Sequence, residues 1–178
     1  TYLAALDPTT GAATPWNPVL SAGVITLAVT GDTLYAGGGF KQVNGQPRYY
    51  LAAFDKSSGD LTGWDPAADF SVNALEVQGT AIYAGGLFKG IGGVARNNVA
   101  AIDPETGAAL AWNPGTNNLV NALAYSDSVV YVGGAFTQAG GVTRNFLAAV
   151  DTVNGTPTPW DPNLNGWVYT ILPDNDTI

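Results

Sequence analysis

The chain has 178 residues, of which 46% are apolar, 11% are charged, 23 are glycine and 11 are proline, and its net charge is −8. That apolar content suffices for a packed core and excludes a disordered chain, while the acidic charge argues against binding to nucleic acid or to anionic membranes. No apolar run approaches the ~18 residues of a membrane span, so we expect no membrane insertion.

Cysteine, histidine and methionine are absent from the sequence. Their absence removes thiolate and imidazole metal ligands, cysteine nucleophiles and every histidine-based catalytic dyad. We therefore expect neither a metal nor a cofactor. The chain begins without a methionine or a signal peptide, which is typical of a segment excised or processed from a longer protein.

One pattern recurs every 48 residues without an insertion, so the chain holds about 3.7 copies of a single unit. Self-similarity at a period of this size is typical of propellers and solenoids. The most regular columns of the unit are aspartate, glycine, tryptophan and arginine. Their members are Asp7, Asp55, Asp103 and Asp151; Gly11, Gly59, Gly107 and Gly155; Trp16, Trp64, Trp112 and Trp160; and Arg48, Arg96 and Arg144.

Each unit divides into four short strand-like pieces separated by turn residues, which suits one four-stranded propeller blade. The chain is predicted to start within one blade, to contain three whole blades and to stop after the first strand of another. As one partial propeller domain of residues 1–178, it divides into units at 1–23, 24–71, 72–119, 120–167 and 168–178.

In chain order, the first predicted piece is the third strand of a partial blade at Tyr2–Leu6. The last is a first strand at Val168–Leu172, after which residues 174–178 align with the turn and opening of a second strand. The pieces predicted for the third whole unit are a first strand at Val120–Tyr125, a second at Val129–Phe136, a loop at Thr137–Arg144, a third strand at Phe146–Val150 and a short fourth strand ending at Trp160.

The first strand of each unit is largely apolar on both sides, as in residues 24–29. A sheet with one wet face would not need this pattern, whereas blades stacked face to face do. The sequence therefore predicts an all-β propeller, present here as a partial ring. Because an open stack exposes an apolar face at each end, we expect closure by flanking residues or by a second copy, giving seven or eight blades.

The aspartates open turns such as Asp103–Gly107, in which the carboxylate can accept backbone N–H groups. Calcium ligation or catalytic acidity is the alternative, but no copy has the dense Asp/Asn/Gly spacing of a calcium loop. The tryptophans could stack sugars. We favour plugs between adjacent blades, because a ring needs one plug at every seam.

A glycine pair lies inside each second strand, at 37–38, 85–86 and 133–134. We expect it to let a neighbouring blade's backbone or aromatic side chain approach closely, since a phosphate site would need a helix N-terminus. The arginines are predicted to tie strands together, with the aspartate seven residues later as candidate partner. An anion-binding ring is the alternative.

Two sets of loops, the fourth-to-first-strand and second-to-third-strand connections, are predicted to share one rim. The first set varies most between copies and is rich in Asn and Asp, and such variation among uniform repeats is where we expect specificity. Trp167 stands out because its counterparts are Gly23, Ser71 and Leu119; an exposed anchor and an extra core residue both remain open. The candidate ligand-binding residues are Asp69, Asn117, Asn118, Asn163, Asn165 and Trp167.

Only carboxylates, tyrosines and lysines remain as acid–base groups. Asp65, Asp69 and Glu76 are neighbours in sequence, but nothing places two of them across a scissile bond. We therefore name no catalytic residue and expect that the protein is not an enzyme.

The combination of Gly133-Gly134, Phe136, Arg144-Asn145 and Ala149-Val150-Asp151 resembles the bacterial delta-60 type repeat, also known as the DUF5122 β-propeller repeat. It is more distantly similar to Rax2-like propeller repeats. The resemblance covers the whole chain and implies a secreted or surface-attached bacterial propeller, often part of a larger multidomain protein. The family supplies no established catalytic residues.

Two other propeller families share parts of the unit. Residues 5–11 with Trp16 are similar to the docking motif of quinoprotein dehydrogenases, but Trp follows Gly by five residues here and by four in that motif. The glycine pair is similar to that of kelch repeats, yet the tryptophan lies too far beyond it.

These observations favour a non-catalytic extracellular scaffold or adhesion module on a bacterial cell surface that binds a protein or a cell-surface glycan. Polymerisation of the module is left open. A glycan-binding lectin using the Asn/Asp loops and Trp167 is the alternative. A quinoprotein-like or polysaccharide-cleaving enzyme is less favoured.

Overall fold

The computed structural model describes residues 2–174 and 178, and these residues form strands and turns without a helix. None of their segments is a helix long and apolar enough to cross a membrane. The strands are β1 (Val24–Thr30), β2 (Thr33–Gly38), β3 (Gln42–Val43), β4 (Gln46–Pro47), β5 (Leu51–Asp55), β6 (Val72–Gln78), β7 (Ala81–Gly86), β8 (Gly90–Ile91), β9 (Val94–Ala95), β10 (Val99–Ile102), β11 (Val120–Ser126), β12 (Val129–Gly134), β13 (Gln138–Ala139), β14 (Val142–Thr143) and β15 (Leu147–Asp151).

Three antiparallel sheets share one plan, in which the second strand lies between the first and the third. The first blade is β1-β2-β5, the second is β6-β7-β10 and the third is β11-β12-β15. Their registers coincide, since Leu27 pairs with Ala36, Leu75 with Ala84 and Leu123 with Val132. The predicted all-β partial propeller is confirmed, as an open stack rather than a closed ring.

The first and second strands of each blade are joined by a tight turn that contains a residue with positive φ. These residues are Gly31, Gly79 and Asp127, with φ of 51°, 56° and 56°. Left-handed backbone at this point matches the twist of the flanking strands, which is why Gly and Asp are placed there. The predicted turn at Ser126-Asp127-Ser128 is confirmed.

The fourth strand of each blade is reduced to a single bridge, which corrects the prediction of a regular strand ending at Trp160. In the third blade this bridge joins Val150 to Pro157. Pro157 and Pro159 have no N–H to donate, but prolines are not the general cause, because the first and second blades form the same single bridge at Leu61 and Ala109. The backbone is held instead by the bond from Thr158 N to Ala149 O, at 2.8 Å.

The second-to-third-strand connection, predicted as a loop at Thr137–Arg144, contains a small ribbon of two paired strands, β13 and β14. The first blade has the same ribbon, β3 with β4, closed by Asn44 and Gly45 at φ of 50° and 78°. An Asn-Gly pair with positive φ at both positions is the preferred two-residue hairpin turn. The signal was present in the sequence and overlooked.

The two predicted end strands are wrong as strands. Tyr2–Leu6 contributes one bridge, from Leu6 to Ala13, and Val168–Leu172 forms no ladder. The second segment still occupies a first-strand position, because Val168 N donates to Gly134 O at 3.2 Å. The second strand that should pair with this segment is predicted to follow a turn within residues 174–178. Residues 175–177 of that stretch lie outside the described residues.

The core lies between blades rather than within them. One cluster of buried side chains joins Tyr35 and Leu51 of the first blade to Val72 and Leu75 of the second. Another joins the second blade to the third through Trp112, Val120 and their neighbours. Of the three first strands, β6 packs against a blade on either side, against β1 and against β11, which is the face-to-face stacking that the two-sided apolar pattern predicted.

Candidate functional site: the loop rim

One end of the stack carries both variable loop sets. Each second strand ends there and each third strand begins there, so the fourth-to-first-strand and second-to-third-strand connections meet. Isolated bridges from Leu20 to Val43 and from Thr116 to Ala139 join the two sets. We call this end the loop rim, and the end that carries the tight turns and the aspartate turns the opposite rim.

The aspartate turns on the opposite rim have the predicted geometry. Asp55 Oδ1 accepts the N–H groups of Ser57 and Ser58, both at 2.8 Å, and the Ser57 hydroxyl at 2.6 Å. The hydroxyl of Ser57 and then these two N–H groups lower the pKa of Asp55 to about 2. In residues 2–174 and 178 no group of three acidic, histidine or cysteine side chains could hold a metal ion.

Equivalent bonds occur in the other three aspartate turns. The N–H of Thr10 chiefly lowers the pKa of Asp7, and that of Thr106 the pKa of Asp103. Asp151 accepts the N–H groups of Val153 and Asn154, both at 2.9 Å. The turn interpretation of the column is confirmed by these bonds.

Each tryptophan of the inner seams joins two blades. Trp64 lies edge-on to Tyr35 of its own blade, with ring centroids 5.0 Å apart, and its indole N–H donates to Asp103 O of the next blade at 3.0 Å. Trp112 repeats both contacts, with Tyr83 and with Asp151 O. The predicted seam plugs are confirmed at these two positions, and the indoles are accordingly not free to stack a ligand.

The glycine pair serves two close approaches. A Cβ on Gly37 would lie 2.9 Å from Val72 Cγ1 of the next blade, and a Cβ on Gly38 would lie 2.2 Å from Gly23 O. The first glycine therefore admits the neighbouring blade, as predicted, through an aliphatic rather than an aromatic side chain. The second admits backbone of its own blade, just before β1.

The arginines tie strands together, but not to the predicted partners. Arg48 donates from Nη2 to Thr62 O at 2.8 Å and lies 3.8 Å from Asp65, and Arg144 contacts Thr158 O and Asp161 in the same way. The aspartate seven residues later is not the partner, because its carboxylate closes the turn on the opposite rim. Arg96 donates to Leu110 O at 2.8 Å and to Ala95 O at 2.9 Å, and Asn113 stands where the other two blades have the paired aspartate.

Two of the predicted ligand-binding residues form hydrogen bonds that hold the rim loops together. Asp69 Oδ1 accepts Lys89 N at 2.8 Å, and Asn117 Oδ1 accepts the N–H groups of Thr137 and Gln138 at 2.9 and 3.1 Å. Ser21 fills the same role in the first blade. These side chains are exposed, yet their inner oxygens are already used to join the two loop sets.

The remaining four predicted residues are exposed, and three of them, Asn163, Asn165 and Trp167, share the last rim loop. Asn118 Oδ1 accepts Leu119 N at 2.8 Å, and Asn163 Oδ1 accepts Asn145 Nδ2 at 2.9 Å. Asn165 is exposed, and Trp167 is exposed with its ring 6.3 Å from that of Tyr169. Trp167 lies at an open end of the stack, next to the exposed Tyr169 and Leu172, so its exposure does not decide between the two interpretations.

Sequence reasoning missed an aromatic cluster where the first blade meets the second. Phe70 is 51% exposed and stacks on Tyr50, with centroids 6.0 Å apart and planes at 21°. Lys41 Nζ lies 5.9 Å from the centroid of the Tyr50 ring, within the range of a cation–π contact. The signal was available, because the counterparts of Phe70 are Ala22, Asn118 and Gly166.

The acidic residues that were candidates for catalysis each have a structural environment. Asp65 pairs with Arg48 and Asp69 holds Lys89 N, as described above. Glu76 lies on β6, half-buried, and burial raises its pKa while a hydrogen bond from the Tyr125 backbone lowers it. No two of the three share a partner.

Residues 126–157 match the model of a family described as a domain of unknown function (DUF5122) beta-propeller. This match supports the resemblance of the third unit to the DUF5122 type of propeller repeat. The matched segment begins at the end of β11 and runs to the bridge at Pro157, so it contains the second and third strands and the aspartate turn of the third blade. No curated protein matches the chain.

Two solved structures of computationally designed proteins are similar to this stack of blades. Ika4 is 16% identical with a TM-score of 0.61, over 88% of this chain and 82% of that one. Ika8 is 17% identical with a TM-score of 0.61, over 87% of this chain and 41% of that one. Identities this low support the fold alone.

Proposed function

We propose that this chain is a non-catalytic binding module of an extracellular, bacterial cell-surface protein, and that its loop rim is the surface that contacts the partner. The observation that supports it is the contrast between invariant seams and variable rim. Trp64 and Trp112 repeat their contacts, while the rim positions equivalent to Phe70 and Trp167 change in every unit. Variation confined to exposed loops on a rigid scaffold is the usual design of a binding surface.

The non-catalytic part of the proposal is supported by the structural use of the acidic side chains. The aspartates of the opposite rim close turns, Asp65 pairs with Arg48, and Asp69 and Asn117 hold the two loop sets together. A general acid or base would instead need a free carboxyl within reach of a bound substrate.

Completion of the ring is part of the proposal, because the two ends present complementary halves of a seam. Trp160 is 42% exposed and lies 5.5 Å from Tyr131, with no neighbouring turn against it. At the other end, a Cβ on Gly11 would meet nothing within 4 Å, whereas one on Gly59 would lie 2.1 Å from Trp16. An indole without a turn and a turn without an indole fit a further blade of the same repeat, supplied by flanking residues or by a second copy.

The function is tested by binding of the labelled chain to intact bacterial cells. A loop-rim variant carries Asp69→Ser, Phe70→Ala and Trp167→Gly, which are residues found at equivalent positions in other units. An opposite-rim variant carries Lys56→Ser and Asp127→Asn. The proposal predicts that the first loses cell binding and the second keeps it, with equal melting temperatures; equal binding by both variants contradicts it.

Ring closure is tested by the mass of the chain in solution. A species of 18.3 kDa would indicate that flanking residues complete the ring, and one of twice that mass that a second copy does. A soluble monomer that shields its end faces from apolar dyes would contradict closure by either route.

A further inference from the structure

The loop rim of the first blade has a cleft of about 420 Å³, within the range that holds small ligands. It is open because two positions carry small residues. Gly39 and Ala22 stand where the second blade has Leu87 and Phe70, and a Cβ on Gly39 would meet nothing within 4 Å. The residues that line the cleft are Ser21, Ala22, Gly39, Lys41, Gln42, Pro47 and Tyr49.

The wall of this cleft combines a flat aromatic face with polar groups. Tyr49 is exposed, and its counterparts in the second and third blades are Asn97 and Asn145. Ser21 Oγ accepts the N–H groups of Lys41 and Gln42, so its own proton remains to be donated. An aromatic ring packs the C–H face of a sugar, and a hydroxyl and an amide can bond its hydroxyl groups.

Lys41 adds a positive charge between the cleft and the aromatic pair of Phe70 and Tyr50. Its ammonium group lies over the Tyr50 ring and pairs with no carboxylate in residues 2–174 and 178. An ammonium group beside aromatic faces is suited to a carboxylate that arrives on a ligand.

The second blade carries only part of this combination. Lys89 stands where the first blade has Lys41, but Asn97 replaces Tyr49 and Leu87 replaces Gly39. A smaller cleft of about 280 Å³ on that rim is lined by Ala67, Asp69, Gly90, Ile91, Gly93, Val94 and Ala95, without the lysine and without an aromatic side chain. What distinguishes the first blade is therefore an open cleft in which Tyr49 accompanies the lysine.

We propose that the first-blade rim binds an acidic oligosaccharide, with one sugar against Tyr49 in the cleft, its carboxylate at Lys41 and the next sugar on Phe70. This inference rests on the proposed function of the loop rim as the binding surface. A sugar is favoured over an acidic peptide because the cleft offers a flat ring and hydroxyl-bonding groups around a single cation.

The test is a titration of the chain with trigalacturonic acid and with its uncharged counterpart, a galactose trimer, followed by amide chemical shifts. The inference predicts shifts at Lys41, Gln42 and Phe70. Lys41→Gln should weaken binding of the charged trimer about 10-fold and leave the neutral one within about twofold. Tyr49→Asn, which copies the other two blades, should weaken both, and Lys89→Gln is the matched control on the second blade.

Three outcomes would overturn the inference. One is the absence of shifts at about 10 mM sugar; another is an equal loss on Lys89→Gln, which would mean diffuse charge attraction. The third is equally tight binding of a glutamate hexapeptide, which would indicate a protein-binding surface. If the amide signals of other rim loops shift while those of the first-blade residues do not, this site is wrong and the rim proposal stands. If the loop-rim variant binds cells as well as the opposite-rim variant does, the proposed function itself fails.

Discussion

The inner seams and the open ends of the stack are built from the same columns of residues but bury them differently. Leu75, on the first strand of the second blade, is 8% exposed, while its counterpart Leu27 on β1 is 48% exposed. Trp64 is 6% exposed against 42% for Trp160. The residue type and its position in the blade are the same in each pair, so the difference comes from the neighbouring blade.

The comparison teaches that the apolar content of the repeat serves contacts between blades. Burying a side chain of this size contributes about 1.5–3 kcal/mol, and most of that is available only where a second blade covers it. Stability should therefore behave as in other repeat proteins, with nearest-neighbour interfaces adding to weak individual units.

The sharpest way to break the comparison is to remove one tryptophan from a seam and one from an end. Trp64→Ala should lower the free energy of unfolding by about 3–5 kcal/mol, because a buried indole and its bond to Asp103 O are lost. Trp160→Ala should cost less than about half of that, since its ring is already partly in water. Urea unfolding of the two variants measures the difference, and equal losses would contradict the seam account.

A second comparison uses neighbouring glycines in the first blade. Gly38→Ala should destabilise by about 1–3 kcal/mol, because the new Cβ would lie 2.2 Å from Gly23 O. Gly39→Ala is the matched control, with open space at its Cβ, and should be neutral within about 0.5 kcal/mol. If thermal melts give both variants the same melting temperature, the close approach inferred for the glycine pair is wrong.

Glu76 offers a smaller effect of opposite sign. Burial raises its pKa, so its ionised form disfavours folding at neutral pH. Glu76→Ala, which copies Ala28 and Ala124 of the other blades, should raise stability at pH 7 by less than about 0.5 kcal/mol. The gain should shrink as pH falls and the wild-type carboxyl becomes protonated. A gain that grows towards low pH would contradict the burial argument.

Asp55 should show the smallest effect, and that effect should fade in acid. Its pKa is about 2 in the fold, below the ordinary value of about 3.9. Its contribution is present above the ordinary value and is lost as pH falls through about 2. Chemical unfolding of Asp55→Ala should therefore show a flatter acid limb than the wild type. Asp127→Asn removes one charge on the same rim and controls for net charge.

The fold could be predicted from the sequence because every copy of the repeat carries the residues that form the contact between neighbouring blades. The period, the two-sided apolar first strand and the glycine pair all follow from blade stacking. The short fourth strand could not be predicted, because the residues before Trp64, Trp112 and Trp160 do not show that only one pair bridges to the third strand. The Arg48 partner was also missed, since a distance of seven residues along the chain does not show that Asp55 lies on the other rim.

The candidate site was harder to predict than the fold. Asp69 and Asn117 attracted attention as polar loop residues, yet their oxygens hold backbone N–H groups between the two loop sets. The aromatic cluster at Phe70 depends on Tyr50, which is 20 positions away in sequence and becomes its neighbour only through the stacking of two blades.

Native-state hydrogen exchange on Trp112→Ala tests the central claim most directly, because Trp112 joins the second blade to the third. If blades depend on their seams, exchange should accelerate together in β7 and β12, which lie on the two sides, and less in β2. Acceleration confined to β7, with β12 unchanged, would mean that the blades are independent and would contradict the account.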